Sequence, residues 1–333
     1  MKLGGSKLSK FFTESEDIRE KLRARILEKT EAIPNLKLKT IILQRHLTSI
    51  LLKGVLGYLI HEGVGGNLSE DRKLELASGI EIFCSSAAIL DNVMDGHKER
   101  NGETTYLKEY GEQMQLAASQ YVLYHGLKIL LPFMGCFNEK YSDRFRFEES
   151  IIGMVKMDIE SSGTLEGQIE TLERTNGNFN SAPLVIAATT GTENEDKINN
   201  IEKYGFNLGT GLAVYEEIRD LLGEHGRRRA TEVEAGRLVL PLLYASQRID
   251  FDPKRYIRRK LRKQEYSEMM EKLVQTGALT KSADLAKMYL NNSRTDLKKA
   301  VDEKCYQKLN NLTESILNSL NELVSGAEVG YGK

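Results

Sequence analysis

The sequence predicts an all-α protein, and three observations carry that prediction. Apolar residues recur at helical spacing in nearly every segment between loops, as in Leu43, His46, Leu47, Ile50 and Leu51, then Val55, Tyr58 and Leu59. Strand-like alternation is absent. Proline is scarce, five in 333 residues, while Leu, Glu and Lys are plentiful and β-branched runs are few, a balance that favours helices.

Breaks in the pattern fall at Gly63 to Lys73, Gly96 to Thr105, Asn138 to Asp143, Thr192 to Asn199, Gly223 to Gly236 and around Asp252-Pro253. They divide the chain into roughly eight to ten helices on the usual length priors. Pro34, Pro132 and Pro253 lie where helices should start or end, and Pro183 sits near the start of an apolar helix. No Gly/Ser-rich or Pro-rich linker and no long repeat interrupts the series. The expectation is one helical domain over 21–325, preceded by a flexible arm (1–20) and followed by a short tail (326–333).

With 40% hydrophobic and 29% charged residues, the chain suits a soluble protein whose core needs no staples. Lys plus Arg (47) nearly cancel Asp plus Glu (48), so no overall field favours a nucleic-acid partner. Cys84, Cys136 and Cys305 are distant from one another and odd in number, which argues against a disulfide framework or a thiolate metal site and fits a reducing cytoplasm. The opening MKLGGSKLSKFF has no apolar signal region. The longest apolar stretch, Leu51 to Ile60, is interrupted by Lys53 and two glycines, so no membrane insertion is expected.

Chemistry concentrates at two helix ends. The segment Ala77 to Asp95 is an apolar helix ending in Asp91 and Asp95, four residues apart and therefore on one face, where they can share hard cations through oxygen ligands. Acids at a helix C-terminus oppose the macrodipole, which argues against a simple solvated cap. His97, Lys98, Arg100 and the turn Asn101-Gly102 follow at once, so cations meet the place where phosphate oxygens would lie.

The pattern is then repeated about 125 residues later. Tyr204 to Leu222 is an apolar helix carrying Glu216, Glu217 and Asp220, with Glu216 and Asp220 again one turn apart. Beyond it the loop HGRRRATEVEAGR places Arg227, Arg228, Arg229 and Arg237 around Glu232 and Glu234, a composition able to hold a diphosphate already neutralised in part by metal. A solvated charge run would explain either motif alone. Duplication of the arrangement favours a paired anion site, and the absence of interleaved aromatic residues disfavours nucleic acid.

These residues resemble the trans-isoprenyl diphosphate synthase (polyprenyl synthase) family from about Lys53 to Leu290. Asp91 to Gly111, DNVMDGHKERNGETTYLKEYG, is similar to its DDxxD motif with following arginines and glycine, with Asn92 and Asn101 substituted. EEIRD, Glu216 to Asp220, is similar to its second acidic motif, and GRLVLPLLYA, Gly236 to Ala245, to its GKxTLPLIYA stretch. The resemblance implies an isoprenoid synthase helical bundle with a central cavity and a homodimer. It also implies Mg²⁺, three ions with substrate bound, held by Asp91, Asp95, Glu216, Glu217 and Asp220. Arg100, Arg174, Arg228 and Arg237 would then contact the diphosphate of an allylic substrate. Gly153-Met154 with Asp158 beyond stands where the family has Gly-Gln before an aspartate. Gly167-Gln168 lies too near Arg174 to be that pair and is read as coincidental.

Three departures fall on the sub-site that the family uses for isopentenyl diphosphate. The GKRxRP-like stretch is replaced by SILLKGVLGYL with Lys53 its one cation, the Gln or His seven residues before the first motif is Cys84, and the second arginine after it is Asn101. A diphosphate without cationic partners is poorly held. The reading is therefore ionisation of an allylic diphosphate followed by intramolecular capture of the carbocation, as in a terpene synthase. The alternatives are transfer to isopentenyl diphosphate or to another acceptor, and a non-catalytic subunit of a heteromeric synthase. GIEIFCSS, Gly79 to Ser86, resembles the isoprenyl transferases that modify bacterial peptide pheromones. Cys84, Ala87 and Ala88, all small, lie one and two turns below Asp91, and with Tyr215 are the expected cavity residues. They leave room for a chain of about 15 to 20 carbons or longer.

Lys254 to Lys263, with seven cations, reads as a solvated amphipathic helix, and His46, His61 and His125 as core or surface residues.

Overall fold

The computed structural model describes residues 8–31, 33–94, 99–100, 103–104, 106–136, 141, 143–155, 163–223, 228–248 and 250–331. The all-α expectation is met. The helices are α1 (Leu8–Glu14), α2 (Glu16–Glu31), α3 (Leu36–Thr48), α4 (Leu52–Gly63), α5 (Glu70–Met94), α6 (Tyr106–Tyr110), α7 (Glu112–Leu130) and α8 (Phe147–Val155). They continue with α9 (Leu165–Leu172), α10 (Asn178–Thr189), α11 (Glu195–Leu222), α12 (Thr231–Ala235), α13 (Leu240–Ser246), α14 (Lys263–Gln275), α15 (Ala278–Ala300) and α16 (Glu303–Tyr331). This exceeds the expected eight to ten because short helices such as α6, α12 and α13 form within segments that the sequence presents as loops or helix ends. Among the described residues the one strand pairing is a two-residue antiparallel ladder, Glu99–Arg100 with Glu103–Thr104.

Helix ends follow their local chemistry. Asn194 caps α11, its side chain accepting from the Lys197 N–H at 3.0 Å, and Glu195 and Asp196 in the first turn complement the dipole. Gly223, at φ +69°, ends α11 in the left-handed conformation that glycine adopts without penalty. Glu70 and Asp71 open α5 in the same sense.

Close backbone approach fixes how the acidic helices sit. A side chain at Gly126 of α7 would strike the Phe83 backbone of α5, and one at Gly205 of α11 would strike Ser181 of α10. The two glycines thus let α7 lie on α5 and α10 lie on α11. Helix α10 also touches α4 and α5, so it stands between the two acidic helices, while α15 packs along α11. A single apolar cluster runs from Phe11 to Ala327.

Three segments differ from expectation. Residues 8–20, read as an arm, are largely helical, with Phe11 and Ile18 buried and α1 packed on α16; these apolar residues recur at helical spacing in an otherwise polar stretch. The tail read from 326 is the last turns of α16, where Ala327 is buried and the Tyr331 ring meets Tyr266 edge-on at 6.3 Å. The basic stretch Lys254 to Lys263 is not an amphipathic helix. After the short turn Pro253–Arg255 it takes an irregular path, with Arg258 at φ +60°. The Arg258 N–H donates to the Val233 carbonyl (3.2 Å) and the Leu261 N–H to Glu234 (2.8 Å), so the stretch follows the loop after α11 rather than its own helical ladder. Of the three histidines, His46 bridges the Ile42 carbonyl and Ser85, and His61 bonds Thr190 Oγ1 at 3.0 Å, both buried in the core.

Candidate active site

Helix α5 is buried along its middle and opens at its end. Residues Leu76 to Ser86 are buried without interruption, whereas Ala87, Ala88, Leu90 and Asp91 are half-buried and Met94 is exposed. Asp91 therefore sits at the margin of the core with Ala87 and Ala88 a turn below it and Cys84 deeper. Asp95 lies outside the described residues, as does Asn101; Arg100 is placed only through its main chain in the short ladder.

Beneath this end, Lys53 of α4 points its ammonium at the Phe179 ring of α10, 5.6 Å from the centroid, close to Cys84 and Glu81. Burial pulls the Lys53 pKa down, against the neighbouring Cys84 and Glu81. Burial likewise pushes the Cys84 thiol up to about 12, opposed by Lys53, so Cys84 stands as a neutral thiol. Glu81 is engaged elsewhere, accepting from the Gly54 N–H at 2.9 Å.

On α11, Glu216 and Asp220 share a half-exposed face. Asp220 organises the loop that follows: it accepts from the Thr231 hydroxyl and, at 3.1 Å, from the Glu232 N–H, and its carbonyl accepts from the Ala230 N–H at 2.8 Å. Glu216 lies 2.7 Å from Arg219 Nη2.

Two residues grouped with this face in the sequence serve it from behind. Glu217, expected among the metal ligands, is buried, with one oxygen accepting from Gln168 Nε2 (2.7 Å) and the other from the Leu240 N–H (2.8 Å). Burial, only partly offset by these donors and Arg237, raises its pKa to about 7. It ties α9 and the start of α13 to α11. Tyr215, expected in the cavity wall, is buried against α16, its hydroxyl sharing a hydrogen bond with Ser319 at 2.9 Å.

The expected diphosphate arginines are held by acids near them. Arg174 pairs with Glu149 (3.1 Å) and Glu170 (2.9 Å) from the π-helical turn Glu173–Gly177, and Arg228 pairs with Glu234. Arg237 is half-buried, near enough to Glu217 to lower its pKa. Sequence reasoning missed Gln168, set aside as coincidental yet buried on Glu217, as well as Thr231 and the buried Arg219. A Ser or Thr three residues before a glutamate in RATEVEAG was the one visible sign of a loop-capping role.

Among the described residues, no three His, Cys, Asp or Glu side chains stand close enough to enclose a metal ion. Asp91 on α5 and Glu216 with Asp220 on α11 are residue types that suit Mg²⁺, which takes most of its ligands from water and phosphate. Among the same residues, no helix is long and apolar enough to cross a membrane.

No protein-family model matches the chain. It is 21% identical over 192 residues to a short chain isoprenyl diphosphate synthase of Methanocaldococcus jannaschii, a match covering 55% of this chain and 58% of that relative. It is 21% identical over 242 residues to a geranylgeranyl diphosphate synthase of Saccharolobus solfataricus, covering 68% and 72%. The fold is that of a decaprenyl diphosphate synthase from Rhodobacter capsulatus (TM-score 0.81, 16% identity, 94% of this chain and 99% of that one). A polyprenyl synthase from Caulobacter crescentus, complexed with calcium and isoprenyl diphosphate, superposes with TM-score 0.79 at 17% identity, over 95% and 98%. These matches show that the chain has the helical fold of these prenyl diphosphate synthases and is similar in sequence to two of them. Within this fold, the acidic ends of α5 and α11 and the loop after α11 are the two motifs on which the sequence resemblance rests.

Proposed function

We propose that this chain binds an allylic prenyl diphosphate through Mg²⁺ and ionises it. The observation that carries the reading is that two helices buried along much of their length become partly accessible at acids of the two motifs, Asp91 on α5 and Glu216 with Asp220 on α11, on either side of α10; Asp95 follows Asp91 by four residues in the sequence. Carboxylates at such places suit a hard cation and are poor choices for a packed core. Asp91, Asp95, Glu216 and Asp220 would hold the metal, which when bound neutralises the diphosphate and the charge growing on the leaving group. Arg174 and Arg228 would exchange their acidic partners for phosphate oxygens, with Arg237 and Arg100 beside them, and the half-buried Ala87 and Ala88 would give the hydrocarbon tail its way in, with water kept out by the packing around Cys84 and Phe179.

The carbocation is captured by a double bond of the same molecule, because the second sub-site keeps one cation of the sequence motif, Lys53, which lies over the Phe179 ring with Cys84 and Glu81 as its titratable neighbours. A second reading, chain elongation with isopentenyl diphosphate, is favoured by the relatives, which are named as diphosphate synthases. Incubation with Mg²⁺ and allylic diphosphates of increasing length, with and without isopentenyl diphosphate, separates the two. A hydrocarbon or alcohol formed without the second substrate supports intramolecular capture; a longer diphosphate formed only with it establishes elongation. No release of pyrophosphate under any combination would overturn both. Exposed Leu116 and Tyr124 on α7, with Ile151 and Ile152 on α8, support a homodimer, which light scattering tests.

A further inference from the structure

The stretch Lys254 to Lys263 holds seven cations in ten residues, and all seven are exposed. Its apolar residues turn the other way: Tyr256 is buried with its ring stacked on Phe251, centroids 5.6 Å apart, and Ile257 and Leu261 are half-buried. The acids that touch the stretch are fewer and lie lower. Glu265 and Glu268 are half-buried and pair with Arg255, Arg259 and Arg262, while Asp252 accepts from the Lys254 N–H. Lys254, Lys260 and Lys263 have no carboxylate at ion-pair distance among the described residues.

This cationic surface is held in place. The Arg258 N–H bonds the Val233 carbonyl and the Leu261 N–H one oxygen of Glu234, whose other oxygen takes Arg228. Glu234 thus joins the stretch to the basic loop after the second acidic motif. With Tyr256 buried, 254–263 offers no exposed ring on which a nucleic-acid base could stack. It suits a broad anionic surface, where each Lys or Arg near the headgroups adds about fivefold in affinity. The whole chain has a formal net charge of −1, so the attraction belongs to this face and not to the molecule.

We propose that 254–263 docks the protein on an anionic lipid bilayer, by charge and without insertion. The choice of a lipid partner rests on the proposed reaction, whose substrate carries an apolar chain that dissolves in a bilayer. The link through Glu234 sets Arg228 beside the docked surface, where such a substrate presents its diphosphate.

Binding is measured without substrate, by sedimenting the full-length protein with vesicles of phosphatidylcholine, alone or mixed equally with phosphatidylglycerol. The parent is expected to pellet with the anionic vesicles at about 0.1 M salt and to be released at about 1 M, where the Debye length falls to about 3 Å. Neutral vesicles should leave it in solution. Lys254→Gln, Lys260→Gln and Lys263→Gln together should weaken binding by about 100-fold, with circular dichroism as the check on folding. Lys281→Gln, Lys298→Gln and Lys299→Gln, which remove as many exposed cations from α15, should leave it near the parent value. A parent that stays in solution with anionic vesicles, or equal losses in the two triple variants, would overturn the inference. So would a parent that ignores the vesicles and binds single-stranded RNA through the same three lysines. A parent that docks yet releases no pyrophosphate from any allylic diphosphate would support the docking while the proposed reaction fails.

Discussion

The two acidic helix ends share a spacing and differ in what lies behind them. At α5, Asp91 emerges from a run of small and apolar residues, with Ala87 and Ala88 half-buried below it. At α11, each acid has a structural counterpart: Arg219 beside Glu216, and Thr231 with the Glu232 N–H on Asp220, while Glu217 links α9 and α13 to the back of the helix. One motif is attached to an open wall, the other to a braced scaffold. Substitutions at the first should therefore act on chemistry, and those at the second on chemistry and stability together.

Asp91→Ala tests the open side and carries the largest expected effect. Loss of a metal-holding carboxylate should lower the rate of pyrophosphate release by about 10³-fold, with a smaller shift of the unfolding midpoint than at Asp220 because Asp91 lies in the last turn of α5. Asp220→Ala should lower the rate comparably and also cost about 1–3 kcal/mol of stability, since two donors lose their acceptor. A rate within a few-fold of the parent in either variant would show that the carboxylate does not serve the metal. Equal destabilisation by both, measured in urea, would erase the contrast between the two ends.

Gln168→Ala should destabilise the fold by about 1–3 kcal/mol by leaving the Glu217 oxygen without its donor in the core. Denaturant unfolding of this variant beside Glu217→Gln checks the brace directly: an unchanged midpoint would mean that α9 does not depend on it. A smaller effect is expected at Ala87→Phe, which should raise the KM of the longest accepted prenyl diphosphate by about tenfold and leave that of the shortest near the parent value, if the tail passes this wall. Identical KM ratios for long and short substrates would place the tail elsewhere.

The smallest effect concerns pH and lies away from both motifs. Burial lowers the His61 pKa below its ordinary value of 6.5, and Nε2 must stay unprotonated to accept from the Leu68 N–H at 3.3 Å. The unfolded chain takes up a proton below about pH 6.5 that the folded chain resists, so stability should fall as the pH drops through that value. His61→Gln should flatten this slope in urea midpoints measured between pH 5 and pH 8; a parent with no slope would contradict it.

Much of the fold was legible because helical period and breakers are local signals. The acidic pairs were legible for the same reason, since a spacing of four defines a face. What sits behind that face was not. Gln168 and Glu217 are 49 residues apart, and polar contacts at that separation leave no period in a sequence. Arg219 carries a charge that reads as solvated wherever burial is unknown, and Tyr215 gives no sign of turning toward Ser319 rather than inward. The basic stretch after Pro253 was read as a helix because its cations and Ile257 and Leu261 fit one; tertiary hydrogen bonds to Val233 and Glu234 prevail over that propensity. Residues 8–20 were misjudged by composition, which conceals the two buried apolar side chains Phe11 and Ile18.

Helix α16 reaches the reverse side of α11 through Ser319 and, near its end, meets Tyr266, whose hydroxyl donates to the Leu221 carbonyl at 2.9 Å. Mechanical or chemical disturbance at the carboxyl end, whether an affinity tag, a protease cut or a fusion partner, would therefore be transmitted to the back of the helix bearing Glu216 and Asp220.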